Sequence, residues 1–184
     1  MKIEDNFLDQ EKFDELQTFI VSDSFAWFYV DGIDYSIRES NGVLSFPNKG
    51  DKNKFQFYHM FVSNGGPTSS FCDNLEPVFE KIDPMSFWRI KANLLTRTPN
   101  IVENEFHVDI GNLENSPEKL KHWTTSIFYI NTNNGYTLFE DGTKVESVAN
   151  RMVTFPSNIK HTGTSCTDQP TRIVINFNYY KSTT

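Results

Sequence analysis

The chain has 184 residues, 38% of them hydrophobic, which predicts a single domain spanning residues 1–184 that can bury its own core without disulfides. No run of about 18 uninterrupted apolar residues occurs, so the sequence predicts a soluble protein without a membrane-spanning helix. The formal net charge of −7 disfavours nucleic acid as a partner, because the field of the whole molecule repels phosphate groups.

The N-terminal half begins with acidic residues and contains two predicted helices. Glu4 and Asp5 stand where a secretory signal would carry basic residues, so we expect the protein to remain in the cytoplasm. Apolar residues recur at helical spacing over residues 10–20, where Asp9 can cap the helix, and again over residues 73–82. We expect both helices to pack against the core.

The rest of the chain has the pattern of short β-strands. Aromatic and β-branched runs alternate with turns that are rich in Asn, Gly, Asp and Pro. The predicted strands cover residues 26–30, 55–62, 87–95, 101–110, 123–131, 136–140, 151–155 and 172–180. This pattern is typical of a mainly β sandwich or barrel, of which the jelly roll is the double-sheet form. Residues 46–54, with Pro, Gly and several charges, are the best candidate for a mobile loop.

A histidine and an aspartate, His107 and Asp109, lie two residues apart in the predicted strand 101–110. Side chains at positions i and i+2 of a strand point to the same face, so the imidazole and the carboxylate would project together. His161 follows well downstream, after several predicted strands. Two imidazoles and one carboxylate form the facial triad of non-haem Fe(II) oxygenases. A surface His-x-Asp pair without metal is the alternative interpretation.

Arg172 lies in the otherwise apolar predicted strand that follows His161. A guanidinium in such a strand needs an anionic partner, because burying an unpaired charge is costly. Its planar fork suits a bidentate carboxylate. Either a structural ion pair or an anionic co-substrate would satisfy it, and its position after the distal histidine favours the co-substrate.

The remaining histidines and both cysteines are set apart from this group. His59 lies in an aromatic strand, which indicates a packed ring, and His122 follows a predicted surface turn. Cys72 and Cys166 are too few for a disulfide framework or a thiolate metal site, so we expect free thiols.

The order of these residues resembles the Fe(II)- and 2-oxoglutarate-dependent dioxygenases, and among them the prolyl 4-hydroxylase-like group, best over residues 89–180. Two further motifs carry the resemblance, the strand Phe128-Tyr129-Ile130-Asn131 and the turn and strand Gly135-Tyr136-Thr137-Leu138-Phe139. It implies a double-stranded β-helix, or jelly roll, with its core at about residues 87–180 and a few supporting helices mostly in the N-terminal half. It also implies hydroxylation of a substrate C–H bond with release of succinate and CO₂.

The resemblance implies specific roles for six residues. His107, Asp109 and His161 would bind Fe(II) and carry the catalysis. Arg172 and Tyr129 would hold the C5 carboxylate of 2-oxoglutarate. Asn93, on the preceding strand, would bind the C1 carboxylate or the substrate, although this segment lacks the tyrosine common in prolyl hydroxylases. O₂ would be the second co-substrate, with ascorbate as an optional reductant.

The substrate is the least determined part of this interpretation. The resemblance favours a prolyl residue in a peptide, and a free amino acid or another small metabolite is the alternative. Two other function classes stay open, a cupin-like module that binds metal for another purpose and a jelly-roll recognition domain without activity. Arg172 and Tyr129 argue against the cupin-like module, which needs neither. No feature of the sequence indicates the oligomeric state.

Overall fold

The structure, a computed structural model of the chain, describes residues 1–33, 54–111 and 116–181, together with the backbone of two short strands at residues 38–40 and 43–45. Residues 46–53 of the predicted mobile loop lie outside the described residues. The helical segments are α1 Gln10–Val21, a 3₁₀ turn Cys72–Leu75, α2 Glu76–Ile82 and α3 Pro117–Leu120. Both predicted helices are confirmed, but the side chain of Asp9 forms no capping hydrogen bond.

The first seven strands of the chain are β1 Lys2–Glu4, β2 Phe28–Val30, β3 Arg38–Ser40, β4 Val43–Ser45, β5 Gln56–Ser63, β6 Gly66–Pro67 and β7 Ser86–Thr96. The remaining strands are β8 Trp123–Tyr129, β9 Tyr136–Phe139, β10 Lys144–Glu146, β11 Arg151–Pro156, β12 His161–Gly163 and β13 Thr171–Tyr180. The prediction of a mainly β protein with few helices is confirmed.

The strands form a large and a small antiparallel sheet. The large sheet has the order β1-β11-β8-β13-β7-β5-β2, with β6 paired to β5, and the small sheet has the order β10-β9-β12. β3 and β4 pair with each other as a separate hairpin. β13 pairs with β7 on one side and with β8 on the other. The segments 86–96, 123–129 and 171–180, which are distant in sequence, therefore lie side by side.

The strict alternation of side chains in β13 separates the two faces of the large sheet. Ile173, Ile175 and Phe177 belong to the core that packs against α1 and α2. Val174 belongs to a second core, whose other members come from β8, β9, β10 and β11 and which joins the large sheet to the small one. The protein is therefore layered as helices, large sheet and small sheet, the double-sheet arrangement expected of a jelly roll.

One predicted strand is wrong. Residues 101–110 form no continuous strand, and their β-pairing in the described part of the chain consists of two isolated bridges, Glu103 with Thr164 and His107 with His161. The bridged residues of β12 also pair with β9 in the small sheet, so the segment 101–110 runs beside that sheet without becoming a strand of it.

No helix in the described ranges is both long enough and apolar enough to cross a membrane.

Candidate active site

The two halves of the predicted metal site meet through the backbone. The amide of His107 donates to the carbonyl of His161 at 3.0 Å, and the amide of His161 donates back to the carbonyl of His107 at 3.1 Å. His161 is the first residue of β12, in the small sheet, and the irregular segment 101–110 pairs with it at this one point. This reciprocal pair of hydrogen bonds brings the distal histidine beside His107.

The three predicted ligands converge. Nε2 of His107 lies 3.8 Å from Oδ1 of Asp109, and Nε2 of His161 lies 3.9 Å from Oδ2 of the same carboxylate. The candidate ligand atoms all lie within 4.8 Å of one another. Two imidazole nitrogens and one carboxylate oxygen at this spacing match the donor set of a facial triad with open coordination positions.

The outer ring nitrogens of both histidines face backbone carbonyls. Nδ1 of His107 lies 3.1 Å from the carbonyl of Glu105, and Nδ1 of His161 lies 3.3 Å from the carbonyl of Ile159. A carbonyl only accepts, so Nδ1 carries the proton and Nε2 of the neutral ring is free to bind metal. Burial lowers the pKa of His161 to about 4, although Asp109 acts to raise it, so this ring is neutral at neutral pH.

Asp109 is held by three side chains of the large sheet. Nη2 of Arg89 lies 2.9 Å from its Oδ1, and Nδ2 of Asn178 donates to its Oδ2 at 3.0 Å. Asn176 contributes a longer contact of 3.5 Å to the same Oδ2. Burial acts to raise the pKa of Asp109, but the charge of Arg89, together with the interactions of the two histidines and the hydrogen bond from Asn178, outweighs burial and keeps this pKa well below its usual range. The carboxylate is therefore ionised and oriented.

Arg172 is buried without a carboxylate. Its side chain is 3% exposed, its Nε donates to Oγ of Ser147 at 2.8 Å, and its Nη2 donates to Oγ1 of Thr137 at 3.2 Å. Within the described ranges it forms no ion pair, which removes the structural ion pair as an explanation there. Burial lowers the pKa of Arg172, the direction expected for a cation that lacks a counterion.

Two glycines make room for this arginine. A Cβ at Gly135 would lie 2.7 Å from Cδ of Arg172, and a Cβ at Gly163 would lie 3.2 Å from its Nη1. The same Cβ would also lie 2.7 Å from the backbone carbonyl of Ser165, so a larger residue at Gly135 would require both the arginine side chain and the backbone to move. The glycine two residues before Thr137 is therefore explained by close packing against Arg172 and Ser165.

Tyr129 lies behind the cavity wall. It is fully buried, its hydroxyl donates to Oγ1 of Thr137 at 2.7 Å, and Cζ of Arg172 lies 5.7 Å from the centre of its ring. Thr137 lines the cavity and Tyr129 does not. The tyrosine hydroxyl is thus connected to the cavity wall through Thr137.

A single cavity of about 310 Å³ connects these groups, a volume within the range of small-molecule sites. The triad and Arg172 line it, and so does Asn93. In β7 the cavity-facing residues alternate with the core-facing Ile90 and Ala92, and they are Arg89, Lys91, Asn93 and Leu95. The predicted site residues other than Tyr129 therefore surround one space.

The excluded residues lie elsewhere. His59 is a packed ring, 4% exposed, whose nitrogens bond the carbonyl of Ala26 and the hydroxyl of Ser69 at 2.7 and 2.8 Å. His122 is exposed after α3. Both cysteines are free thiols.

Several cavity residues were missed by the sequence reasoning. Arg89 and Lys91 precede Asn93 at two-residue spacing in a predicted strand, so alternation alone would have placed all three on one face. Asn176 and Asn178 likewise alternate with apolar residues after Arg172. No local pattern indicates that Arg89 would reach Asp109.

Comparisons with known proteins find the fold but no close relative. No protein-family model and no curated protein matches the sequence. A prolyl hydroxylase from Trichoplax adhaerens, solved in complex with a peptide fragment of the oxygen degradation domain of hypoxia inducible factor, superposes with a TM-score of 0.61 at 13% identity. The match covers 97% of this chain and 82% of that one.

Two further solved structures agree. A prolyl-4-hydroxylase from Pseudomonas putida has a TM-score of 0.55 at 11% identity, over 98% of this chain and 92% of that one. The non-haem α-ketoglutarate-dependent epimerase SnoN of nogalamycin biosynthesis has a TM-score of 0.59 at 11% identity, over 98% and 77%. The chain has the fold shared by prolyl hydroxylases and other 2-oxoglutarate–Fe(II) oxygenases.

Proposed function

We propose that this protein is an Fe(II)- and 2-oxoglutarate-dependent dioxygenase that hydroxylates a substrate C–H bond and releases succinate and CO₂. The observation that carries the proposal is the buried guanidinium of Arg172, which has no carboxylate partner in the described part of the chain and lines the same cavity as the triad. The facial triad would bind a metal, and the guanidinium of Arg172 would bind the second, distal carboxylate of a keto acid.

The residues present fit an iron ion. Nε2 of His107, Nε2 of His161 and one oxygen of Asp109 would hold it. Iron bound by three protein ligands has open positions for a chelating keto acid and for O₂, and supplies the oxidative decarboxylation and the hydroxylation. Arg89 and Asn178 keep the Asp109 carboxylate in one orientation, as second partners of metal ligands commonly do.

The residues around Arg172 fit the distal end of 2-oxoglutarate. Ser147 and Thr137 occupy Nε and Nη2, which aligns the planar group and leaves donor capacity for a carboxylate. Ile127 and Val174, which also line the cavity, present apolar surface for the methylene groups of the co-substrate. Tyr129 supports this end through Thr137, and Asn93 is available to the other carboxylate or to the substrate.

The similar structures bear on the substrate class. Two of them are prolyl hydroxylases, one of which was solved with a peptide. By analogy with them, we propose that the substrate is a peptide or a small molecule and that a prolyl ring is the group to be hydroxylated. A cupin-like metal module or a recognition domain would not need the unpaired arginine in the described cavity.

The test is spectroscopic and then catalytic. Protein loaded with Fe(II) without oxygen should develop a visible charge-transfer band when 2-oxoglutarate is added, and should release succinate after exposure to air. Arg172→Gln should bind iron but need far more 2-oxoglutarate to form the band. Absence of the band and of succinate in the wild-type protein would refute the proposal.

A further inference from the structure

Lys91 is a cation in the cavity that the proposed chemistry does not use. It lies between Arg89 and Asn93 on the cavity-facing side of β7, and β13 places Asn176 directly opposite it. Its Nζ lies 5.3 Å from the centre of the Tyr58 ring. Across residues 1–33, 54–111 and 116–181, this ammonium forms no hydrogen bond and no ion pair.

The environment of Lys91 disfavours its charge. Burial, followed by the neighbouring charge of Arg89, lowers the pKa of Lys91 to about 8, while Asp109 acts in the opposite direction. At neutral pH the side chain is therefore still mainly an ammonium. A desolvated cation next to another cation gains most from an anion, and the aromatic face of Tyr58 compensates only in part.

Charges in the loaded site leave this ammonium without a counterion. The carboxylate of Asp109 and the C1 carboxylate of 2-oxoglutarate together balance an Fe(II) ion, and the C5 carboxylate balances Arg172. Asp109 also contacts Arg89 at 2.9 Å, but one carboxylate cannot neutralise both Arg89 and the metal. Binding of the co-substrate therefore leaves excess positive charge at Arg89 and Lys91 for the second, oxidised substrate.

Asn104 and Asn176, which both line the cavity, each have an amide oxygen without a donor among the described residues. Oδ1 of Asn104 and Oδ1 of Asn176 are buried and accept no hydrogen bond. The other ends of these amides are engaged, since Nδ2 of Asn104 donates to the carbonyl of Gly163 at 2.9 Å and Nδ2 of Asn176 faces Asp109. Buried acceptors without donors are rare in folded proteins and indicate a ligand that donates hydrogen bonds.

We propose that Lys91 binds the carboxylate of the oxidised substrate and that the free amide oxygen of Asn176, on the neighbouring strand, accepts from its amino group, so that the substrate is a free amino acid. This inference rests on the proposed function. An α-amino acid carries one anionic acceptor group and one cationic donor group within a few bonds, which matches an ammonium and an amide oxygen that have no partners in the described part of the chain and lie on adjacent strands.

A prolyl residue inside a peptide fits these groups poorly. Its nitrogen is a tertiary amide without a hydrogen to donate, and its carbonyl is neutral. Free proline, by contrast, has both a carboxylate and a protonated secondary amine. The groups of the cavity therefore discriminate between a free amino acid and the same residue within a chain.

The experiment compares amino acids with their carboxamides. Protein loaded with Fe(II) and 2-oxoglutarate in the absence of oxygen is titrated with each of the twenty common amino acids, and in parallel with the matching amino acid amides and a proline-containing peptide. The readout is the shift of the charge-transfer band when a second substrate binds beside the iron. At least one free amino acid should shift the band. Its amide should need a concentration about tenfold higher, or more, to produce the same shift.

A variant pair tests the residue. Lys91→Gln should raise the half-saturating concentration of that amino acid about tenfold or more while leaving that of 2-oxoglutarate within about twofold. Lys144→Gln is the matched control, because Lys144 also lies over an aromatic ring, that of Tyr136 at 4.2 Å, but outside the cavity, and it should change neither value.

Several results would overturn the inference. Amino acids and their amides could bind equally well, the peptide alone could shift the band, or no amino acid could shift it. Lys91→Gln could also change the half-saturating concentration of 2-oxoglutarate alone. The comparison of acids with amides uses the wild-type protein, so it decides the matter even if Lys91→Gln does not fold. Failure of the band to form at all would instead refute the proposed function.

Discussion

Nη2 of Arg89 lies 2.9 Å from Oδ1 of Asp109, and the same oxygen lies 3.8 Å from Nε2 of His107. A guanidinium thus contacts the carboxylate that is the proposed anionic ligand of the metal. Arg89 orients Asp109 and keeps it ionised before any metal binds. It also places a positive charge beside the metal position, which opposes the binding of a divalent cation.

Arg89→Gln should therefore separate these two effects. The metal-free protein should lose roughly 1–3 kcal/mol of unfolding free energy, because a buried carboxylate loses its charged partner at a site where the arginine is partly exposed. The rise in melting temperature on adding Mn(II) should be larger than in the wild type, because the repulsion is removed while Asn178 still orients the carboxylate. Arg97→Gln, at an exposed position just after β7, is the control. An equal rise in both variants would contradict the repulsion.

Each ligand substitution should abolish tight metal binding. His107→Ala, Asp109→Asn and His161→Ala are expected to weaken Fe(II) binding by more than the roughly 10- to 100-fold typical of residues that only support ligands. Equilibrium dialysis under anaerobic conditions measures this directly. His122→Ala should bind iron like the wild type, since this histidine is exposed and does not belong to the group of converging ligand atoms. Wild-type affinity in any triad variant would show that the ligand is misassigned.

Arg172→Lys should weaken 2-oxoglutarate binding and leave iron binding unchanged. A lysine keeps the charge but replaces the planar fork by a point charge, so one charge-assisted hydrogen bond is lost at about 1.5–3 kcal/mol. This corresponds to a roughly tenfold to hundredfold higher half-saturating concentration. Titrating the charge-transfer band with 2-oxoglutarate and with Fe(II) gives the half-saturating concentration of each, and Arg97→Lys is the matched control. An unchanged requirement for 2-oxoglutarate would show that Arg172 has a structural role and does not bind the co-substrate.

Thr137→Val and Tyr129→Phe should differ in their effect on the co-substrate. The valine removes the acceptor of both Tyr129 and Arg172 from the cavity wall, and leaves the buried tyrosine hydroxyl without its partner. We expect a stability loss of about 1–3 kcal/mol and weaker 2-oxoglutarate binding. Tyr129→Phe removes a group that does not line the cavity and should have the smaller effect on binding. Denaturant titration and band titration check the two quantities, and a larger binding defect in Tyr129→Phe would show direct contact with the ligand.

The sequence by itself determined the fold class and the candidate residues of the site. The predicted strand 172–180 put Arg172 among apolar residues, where its charge needs an anionic partner, and the fold class followed from short β-like runs between turns. The His-x-Asp pair and the distal histidine were readable because metal ligands are few and chemically distinct. These features depend on local periodicity and side-chain chemistry alone.

Only the tertiary structure decided which of these residues touch. The segment 101–110 has the composition of a strand, yet its only β-bridges among the described residues are two isolated ones, to His161 and Thr164. Likewise Arg89 reaches Asp109, and Thr137 separates Tyr129 from the cavity. Such contacts depend on the register between distant strands and on the stacking of two sheets, whereas local sequence specifies only the face on which each side chain lies.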